Sequence, residues 1–438
     1  MTYEETCEYL YNQMPMFERQ GASGYKEGLS NTLALDDHFG HPHQAYATIH
    51  VAGTNGKGSV SHTIAAVLQE CGYKVGLYTS PHLVDFRERI RINGKPIPEE
   101  YVVDFVGQER SFFEPLHPSF FEVTTAMAFK YFRDQKIDIA VVEVGLGGRL
   151  DCTNIIQPLV SVITNISFDH TQFLGDTLAK IAAEKAGIIK KGTPVIIGEA
   201  NDETRPVFEA RAREMQAPII FAEDKPEVLA AEPTAEGGMC YQTRRHLTLT
   251  GDLGGIYQQR NLNTVLKALE ALAGLGYLAE WSGDADSDKW TTELNSALNH
   301  VAATTGLMGR WQQVNKSPRV VCDTGHNVGG WQYLSRQLAM VQCQQMHIVF
   351  GMVDDKDINS VLDMLPREAK YYFTKAHSKR ALSETVVQSL ALQHGLTGNA
   401  YHTVYEAYKA AYKNASANDF IFVGGSSYVV GDFLKNCL

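Results

Sequence analysis

From His50 the chain reads HVAGTNGKGSVSHTIAAVL: an apolar run, a glycine-rich turn, a lysine and a helical pattern. Gly53, Gly56 and Gly58 let the backbone curl until several N–H groups face one anion. Lys57 adds a cation, and the helix that begins near Ser59 adds its dipole. Such a turn cradles nucleotide phosphates. It does not have Walker A spacing, because the first glycine of GxxxxGK[ST] would fall on Val51 and Gly58 separates Lys57 from Ser59. The alternative is a glycine-rich turn with no ligand, but strand, turn, lysine and helix coincide here and favour phosphate.

Other reactive side chains fall at similar places. Glu143, in VVEVGLGGRLDCTN, ends a buried apolar run, where an unpaired charge is costly. Magnesium shared with nucleotide phosphates would resolve that cost; a salt bridge to Arg149 would resolve it equally well. Asp169 and His170 lie just past another apolar run, where parallel sheets bind ligands, although a lone histidine is more often structural. Ser80 stands before a proline-stiffened turn, with His82, Arg87, Glu88 and Arg89 behind it. These could offer a metal hydroxyl and a substrate loop, or only hydrogen-bonded turn residues. Lys185, near Lys190 and Lys191, reads by default as a solvated lysine paired with acids one turn away. Arg310, Asp323 and His326 cluster near a domain boundary, as a site or as a turn and cap pair.

The elements that would position these groups are short Val/Ile-rich runs: 47–53, 74–80, 137–144, 159–166 and 194–199. Helical patterns at 59–71, 124–135 and 178–189 lie between them. That alternation implies βαβ units and buried parallel strands. The pattern loosens over 202–255, where strands could be antiparallel, and resumes as a helix from Asn261. WSGDADSDKW, from Trp281, reads as a polar loop. A second α/β series starts at Arg319 and includes 346–352, 370–375 and 419–425. The fold class is therefore α/β: a P-loop-containing, mainly parallel sheet domain followed by a smaller Rossmann-like domain. The expected division is 1–300 and 301–438.

Bulk properties narrow the function. The 438 residues carry 39 Lys+Arg against 50 Asp+Glu, a net charge of −11, and 44% are hydrophobic. An acidic chain lacks the basic face that displaces phosphate counterions, so nucleic acid is excluded as the main partner. No apolar run is long enough to span a membrane, and the acidic start lacks an export pattern. Seven scattered cysteines with no CxxC read as reduced thiols of a cytoplasmic protein. The reactive groups collect at C-terminal strand edges in two α/β units, which implies a nucleotide–magnesium site in a cleft between domains.

GTNGKGS, TSPHLVDFRERIRING, EVGLGGRLDCTN, FDHTQFLGDTLAKIAAEKAGI, GRWQ, DTGHN and GMVDDKD, in this order, resemble the folylpolyglutamate synthase and dihydrofolate synthase family of Mur ligases. The resemblance implies an ATP-binding central domain and a C-terminal glutamate-ligase domain. It implies that Gly53, Thr54, Asn55, Gly56, Lys57, Gly58 and Ser59 bind ATP, joined by Asn261, Arg310 and Asp323. It makes Ser80, Glu143 and His170 magnesium ligands. Lys185 matches a lysine carried as a carbamate, which reverses its default reading: a neutral amine captures carbon dioxide and becomes an oxygen donor. Lys57, Lys185 and His326 become the catalytic set, with His326 near phosphate and incoming glutamate. Phe121, Glu122, Val123 and Thr124, with Leu150, Asp151 and Cys152, would line a dihydropteroate or folate pocket. Cys152 stands where alanine is expected in members with both activities, and GLSNTLALDDHFGHPH departs from the family's leading segment.

The implied reaction is ATP-dependent addition of L-glutamate to dihydropteroate, to the γ-carboxylate of a reduced folate, or to both, through an acyl phosphate. A monomer is implied. Alternatives are folylpolyglutamate synthase activity alone or another Mur-type amino-acid ligase. A P-loop kinase and a nucleotide-binding regulator without turnover are the readings from other classes.

Overall fold

A computed structural model describes residues 1–15, 28–244, 248–278 and 288–437. The chain divides into two units. One comprises Met1–Glu232, Cys240–Asp252 and Gln258–Leu307; the other comprises Pro233–Met239, Leu253–Tyr257 and Met308–Leu438. The polar loop expected from Trp281 falls mostly outside the described residues.

The first unit is built on eight strands: β1 (Ala47–Ala52), β2 (Val75–Tyr78), β3 (Ile90–Ile92), β4 (Lys95–Pro96), β5 (Ile139–Glu143), β6 (Val160–Ile163), β7 (Val195–Ile197) and β8 (Ile219–Phe221). Their order is β4-β3-β2-β5-β1-β6-β7-β8. β2, β5, β1, β6, β7 and β8 run parallel, and β3 and β4 add an antiparallel edge. Every residue of β5 is buried, because helices cover both faces of a parallel sheet. Each buried Val or Ile there contributes about 1.5–3 kcal/mol. β1 lies at the centre, and the chain passes from β5 on one side of it to β6 on the other. This is the switch point at which such sheets bind ligands beyond their carboxyl ends.

The sequence pattern misses several boundaries. The helix expected from Thr124 begins at Phe120, because Ser119 and Glu122 form a capping box four residues earlier. The helix expected to run to Ile189 ends at Ala186, before Gly187. The stretch read as loosening from Asp202 first continues the parallel sheet, with a helix at Arg205–Glu214 followed by β8. Only Phe208 and Ala212 of that helix are buried, and its other apolar residues are few and small, so its periodicity is faint. A three-stranded sheet follows: β9 (Val228–Pro233), β10 (Met239–Thr243) and β11 (Thr248–Gly251). The five-residue link between β9 and β10 is too short for a parallel crossover, so that pair is antiparallel.

The second unit holds β12 (Gln312–Lys316), β13 (Arg319–Asp323), β14 (Met346–Phe350), β15 (Lys370–Thr374), β16 (Gly398–Tyr401) and β17 (Phe420–Gly424), in the order β12-β13-β17-β14-β15-β16. β12 pairs antiparallel with β13, and all other pairings are parallel. Trp331, Phe350, Phe373 and Phe422 fill its core.

Candidate functional site

The phosphate loop leaves β1 at the centre of the first sheet. Gly53 adopts φ 147°, and a Cβ there would stand 1.8 Å from the Thr164 hydroxyl. No other residue fits without moving the next strand's exit. The helix starts at Lys57, two residues before its expected start, with Gly56 in a left-handed cap (φ 86°). Thr54 and Asn55 do not aim their N–H groups at a ligand. Thr54 N–H donates to the Asn165 carbonyl (2.9 Å), and Asn55 N–H to the Asn165 side-chain oxygen (2.9 Å). The Thr54 hydroxyl accepts the Ser167 N–H (3.1 Å), and the Asn55 amide donates to the Ser167 hydroxyl (3.1 Å). The N–H groups of Gly56, Lys57, Gly58 and Ser59 are the ones that a helix start leaves without intrahelical partners.

A second brace comes from the helix Gln258–Gly274. Gln258 donates to the Ser59 hydroxyl (3.2 Å), and Asn261 donates to Gln258 (2.8 Å). The Asn261 oxygen lies where a Gly56 Cβ would collide at 2.4 Å. Asn261 thus stands directly against the loop, while Lys57 folds back over it, donating to the carbonyls of Gly53 (3.1 Å) and Thr54 (3.3 Å). Sequence reasoning passed over Thr164, Asn165, Ser167 and Gln258. The available signal was a run of polar residues, TNIS, immediately after an apolar strand beside β1.

Glu143 is the last residue of β5, in register with Val51 of β1, and is 3% exposed. β2 runs alongside with Tyr78 opposite Val142, so the chain leaving β2 passes Glu143. Ser80 N–H donates to its carboxylate at 3.4 Å. Arg149 is ion-paired to Glu184, at 2.9 Å. His170 takes a left-handed backbone (φ 50°) ahead of a short helix, and its Nε2 is 3.8 Å from Asp169.

Lys185 is not a solvated lysine. It lies 5% exposed in the helix Leu178–Ala186, against the GLGG turn, where a Cβ on Gly148 would stand 3.0 Å from the Lys185 Cα. Burial, with the Lys57 charge adding to it, pulls its ammonium down to about 7, and Asp169, Asp151 and Glu184 oppose that pull. A substantial share of neutral amine near pH 7 follows. Glu143 and the Ser80 hydroxyl offer oxygen, the donor type a hard divalent cation takes, whereas the Lys185 amine as it stands does not. Among the described residues, no three His, Cys, Asp or Glu side chains converge as a metal site by themselves. Of those types, the candidate set contains only Glu143 and His170.

The segments assigned to the pterin side sit together. Phe121 packs on Gly145, where a Cβ would meet its ring at 2.5 Å. Glu122 is turned onto the helix start, accepting the Ser119 N–H at 2.6 Å, and also accepts Asn31 at 3.5 Å. Thr124 bonds its own helix at the Phe120 carbonyl (2.7 Å), and Val123 is core. Of these four, Phe121 alone keeps exposed surface. Asp151 organises the next turn by accepting N–H groups of Leu146 (2.8 Å) and Thr153 (3.0 Å), and burial raises its pKa. Leu150 is half-buried. The Cys152 thiol is buried and pushed well up by that burial. Asn31 therefore carries the divergent leading segment onto the 121–124 stretch.

In the second unit, buried Asp323 accepts from Tyr257 (2.6 Å), Trp311 N–H (2.7 Å) and Gly325 N–H (2.8 Å), and burial raises its pKa. Arg310 donates to the Gly309 carbonyl (3.2 Å) and to the Thr324 hydroxyl. His326 Nδ1 lies 3.1 Å from the Thr324 carbonyl. The helix cap here is Asn327, not His326.

A family model described as the Mur ligase middle domain matches residues 51–262, and one for the Mur ligase glutamate ligase domain matches 309–427. A dihydrofolate synthase/folylpolyglutamate synthase of Bacillus subtilis is 32% identical over 430 residues, covering 94% of this chain and 95% of that protein. A probable bifunctional folylpolyglutamate synthase/dihydropteroate synthase of Haloferax volcanii is 30% identical over 99% of this chain, which spans only 50% of that longer protein. A solved bifunctional folylpolyglutamate synthase/dihydrofolate synthase with Mn, AMPPNP and L-glutamate bound is 28% identical, with a TM-score of 0.78 over 100% of this chain and 98% of that one.

Proposed function

This chain belongs to the folylpolyglutamate synthase and dihydrofolate synthase family of Mur ligases, and from that premise we propose that it joins L-glutamate to dihydropteroate and to the γ-carboxylate of reduced folates at the expense of ATP. The observation that carries the reading is Lys185: a buried amine held near neutrality, within electrostatic reach of the phosphate-loop lysine. A phosphate-binding turn alone would fit a kinase or a regulator.

The acceptor's carboxylate oxygen attacks the γ-phosphorus, ADP leaves, and an acyl phosphate results. The amine of glutamate then attacks the carbonyl carbon, a proton is lost, and inorganic phosphate departs. Gly56–Ser59 N–H groups hold the phosphates, and Lys57, released from its loop carbonyls, follows the charge that develops on the transferred group. Magnesium, when bound, would neutralise phosphoryl oxygens. Ser80, Glu143, His170 and carbamylated Lys185 would hold it. Phe121 and Leu150 would offer apolar surface to the pterin, with Cys152 beneath. Arg310, Asp323 and His326 are assigned to nucleotide and glutamate on the family resemblance. We read the enzyme as a cytoplasmic monomer; among the described residues no helix is long and apolar enough to cross a membrane, and its cysteines are free thiols.

The test supplies ATP, magnesium and glutamate with dihydropteroate or tetrahydrofolate in separate reactions. A glutamate-dependent amide should form from each acceptor, with ADP and phosphate released in equal amounts. Product from tetrahydrofolate alone would reduce the reading to folylpolyglutamate synthase. Normal ATP binding with no product from either acceptor would replace the ligase with a regulator.

The brace on the loop gives a second expectation. Asn165→Ala removes the side-chain acceptor for Asn55 N–H, and one such bond to a positioned backbone contributes about 1 kcal/mol. The KM for ATP should rise about five- to tenfold with a smaller change in kcat. Asn165→Asp keeps the acceptor but adds charge near the phosphates, so its KM should rise at least as far. Steady-state kinetics with an unchanged ATP KM in both variants would remove Asn165 from the binding machinery.

A further inference from the structure

The second unit contains a cavity of about 330 Å³ that the ligase reading does not use. It lies beside the start of β13, at Arg319, whereas Asp323 ends that strand. Trp311, Val321 and Val341 provide apolar wall, and Arg319, Gln313 and Gln337 bring polar groups to it. Arg319 is half-buried, with its guanidinium 4.9 Å above the Phe420 ring, and has no carboxylate partner among the described residues. Gln337 is 4% exposed; its oxygen accepts the Ile256 N–H (2.8 Å), which leaves its amide N–H₂ unspent. Among the described residues no Asp or Glu lines the cavity. Asp419, the acid in the adjoining depression, already accepts N–H groups from Ser416 (2.7 Å) and Gln345 (3.0 Å).

A half-buried cation with no acid on the cavity wall, beside the unspent amide of Gln337, offers a bound anion both charge and a donor. The indole of Trp311, itself stacked on Phe420, offers a flat wall for a ring. The volume is at the low end for small-molecule sites. We propose that this cavity binds a small molecule with one anionic head on a flat, apolar ring, the head on Arg319 and the ring against Trp311. The site is independent of the ligase chemistry.

The probes are indole-3-acetate for a carboxylate head and phenyl phosphate for a phosphate head, titrated calorimetrically into the full chain with ADP and magnesium saturating. At least one should bind saturably, and at least tenfold more tightly than phenol or inorganic phosphate. Arg319→Gln should weaken that binding at least tenfold without changing turnover. Gln342→Glu, a surface change on the cavity rim that places a negative charge by the head, should weaken it likewise if the first variant folds poorly. Failure of both probes to bind saturably, or binding unaltered by Gln342→Glu, would overturn the proposal.

Discussion

Replacing Lys185 with alanine should lower turnover about 100- to 1,000-fold, the scale of losing one preorganised charge at a transferring phosphoryl group. The melting temperature should hardly fall. A structural lysine would behave in the opposite way. Its ammonium would be paired and its removal would leave acids buried without a counter-charge, whereas here burial already disfavours the charged form. The displacement from 10.5 to about 7 means that the site disfavours the charged form, relative to water, by on the order of 5 kcal/mol. Arginine, which cannot lose its proton, should be as inactive as alanine. If Lys185→Ala unfolds while Lys185→Met folds and turns over normally, the residue is packing and not chemistry.

The sign of the pH dependence follows from the same group. Its folded pKa lies below the unfolded one. The charged form therefore burdens the fold at low pH, and that burden lifts as pH rises from about 7 toward 10.5. Carbamate formation consumes the neutral amine. At pH 6 roughly nine in ten of these amines are protonated, and at pH 8 roughly one in ten. Enzyme depleted of carbon dioxide should regain activity on adding bicarbonate, more completely at pH 8 than at pH 6. Lys185→Ala should show no bicarbonate response. ¹³C-bicarbonate should give a carbamate resonance in active wild-type enzyme; a free amine in fully active enzyme would end the carbamate assignment.

Lys185 also marks how far the sequence could be read. Val/Ile runs separated by helical patterns identify the parallel sheets, because both faces of such strands are buried and the composition records it. Gly53 and Glu143 lie at the carboxyl ends of β1 and β5, which a parallel sheet collects along one edge, so their spacing from apolar runs is legible in the sequence. Burial of a single helical residue is another matter. In LAKIAAEKAGI, Lys180 is exposed and Lys185 is buried. The helical period places Lys185 four residues after Ile181 and three after Ala182, on the buried face, but what covers that face is the GLGG turn, distant along the chain, and no local pattern carries that contact. The same reason hides Asn165 and Gln258, whose partners in the phosphate loop are long-range. Glu122 and Thr124, placed on the pterin side by the family resemblance, have their side chains engaged within their own helix, in a capping box and in a back-bond to Phe120.

Glu143 permits a sharper separation of metal role from structural role. Its carboxylate accepts the Ser80 N–H, so truncation would disturb the turn after β2 as well as any cation. Glu143→Gln keeps the shape and one acceptor oxygen, removes the charge and exchanges the other oxygen for an N–H₂ donor. A buried amide is no harder to accommodate than a buried carboxylate, so the fold should hold or gain slightly. Oxygen charge is what a hard divalent cation requires, so the magnesium concentration for half-activation should rise at least about tenfold. Turnover at saturating magnesium should fall about 100-fold, since the γ-phosphoryl charge would be less well neutralised. Ser80→Ala should raise the magnesium requirement less, because a neutral hydroxyl contributes less than a charge. Manganese, which accepts the remaining nitrogen donor His170 more readily, should restore part of the Glu143→Gln activity. An unchanged magnesium requirement in Glu143→Gln, with turnover lost, would make Glu143 a positioning residue for the Ser80 turn and leave the cation to Lys185 and the phosphates.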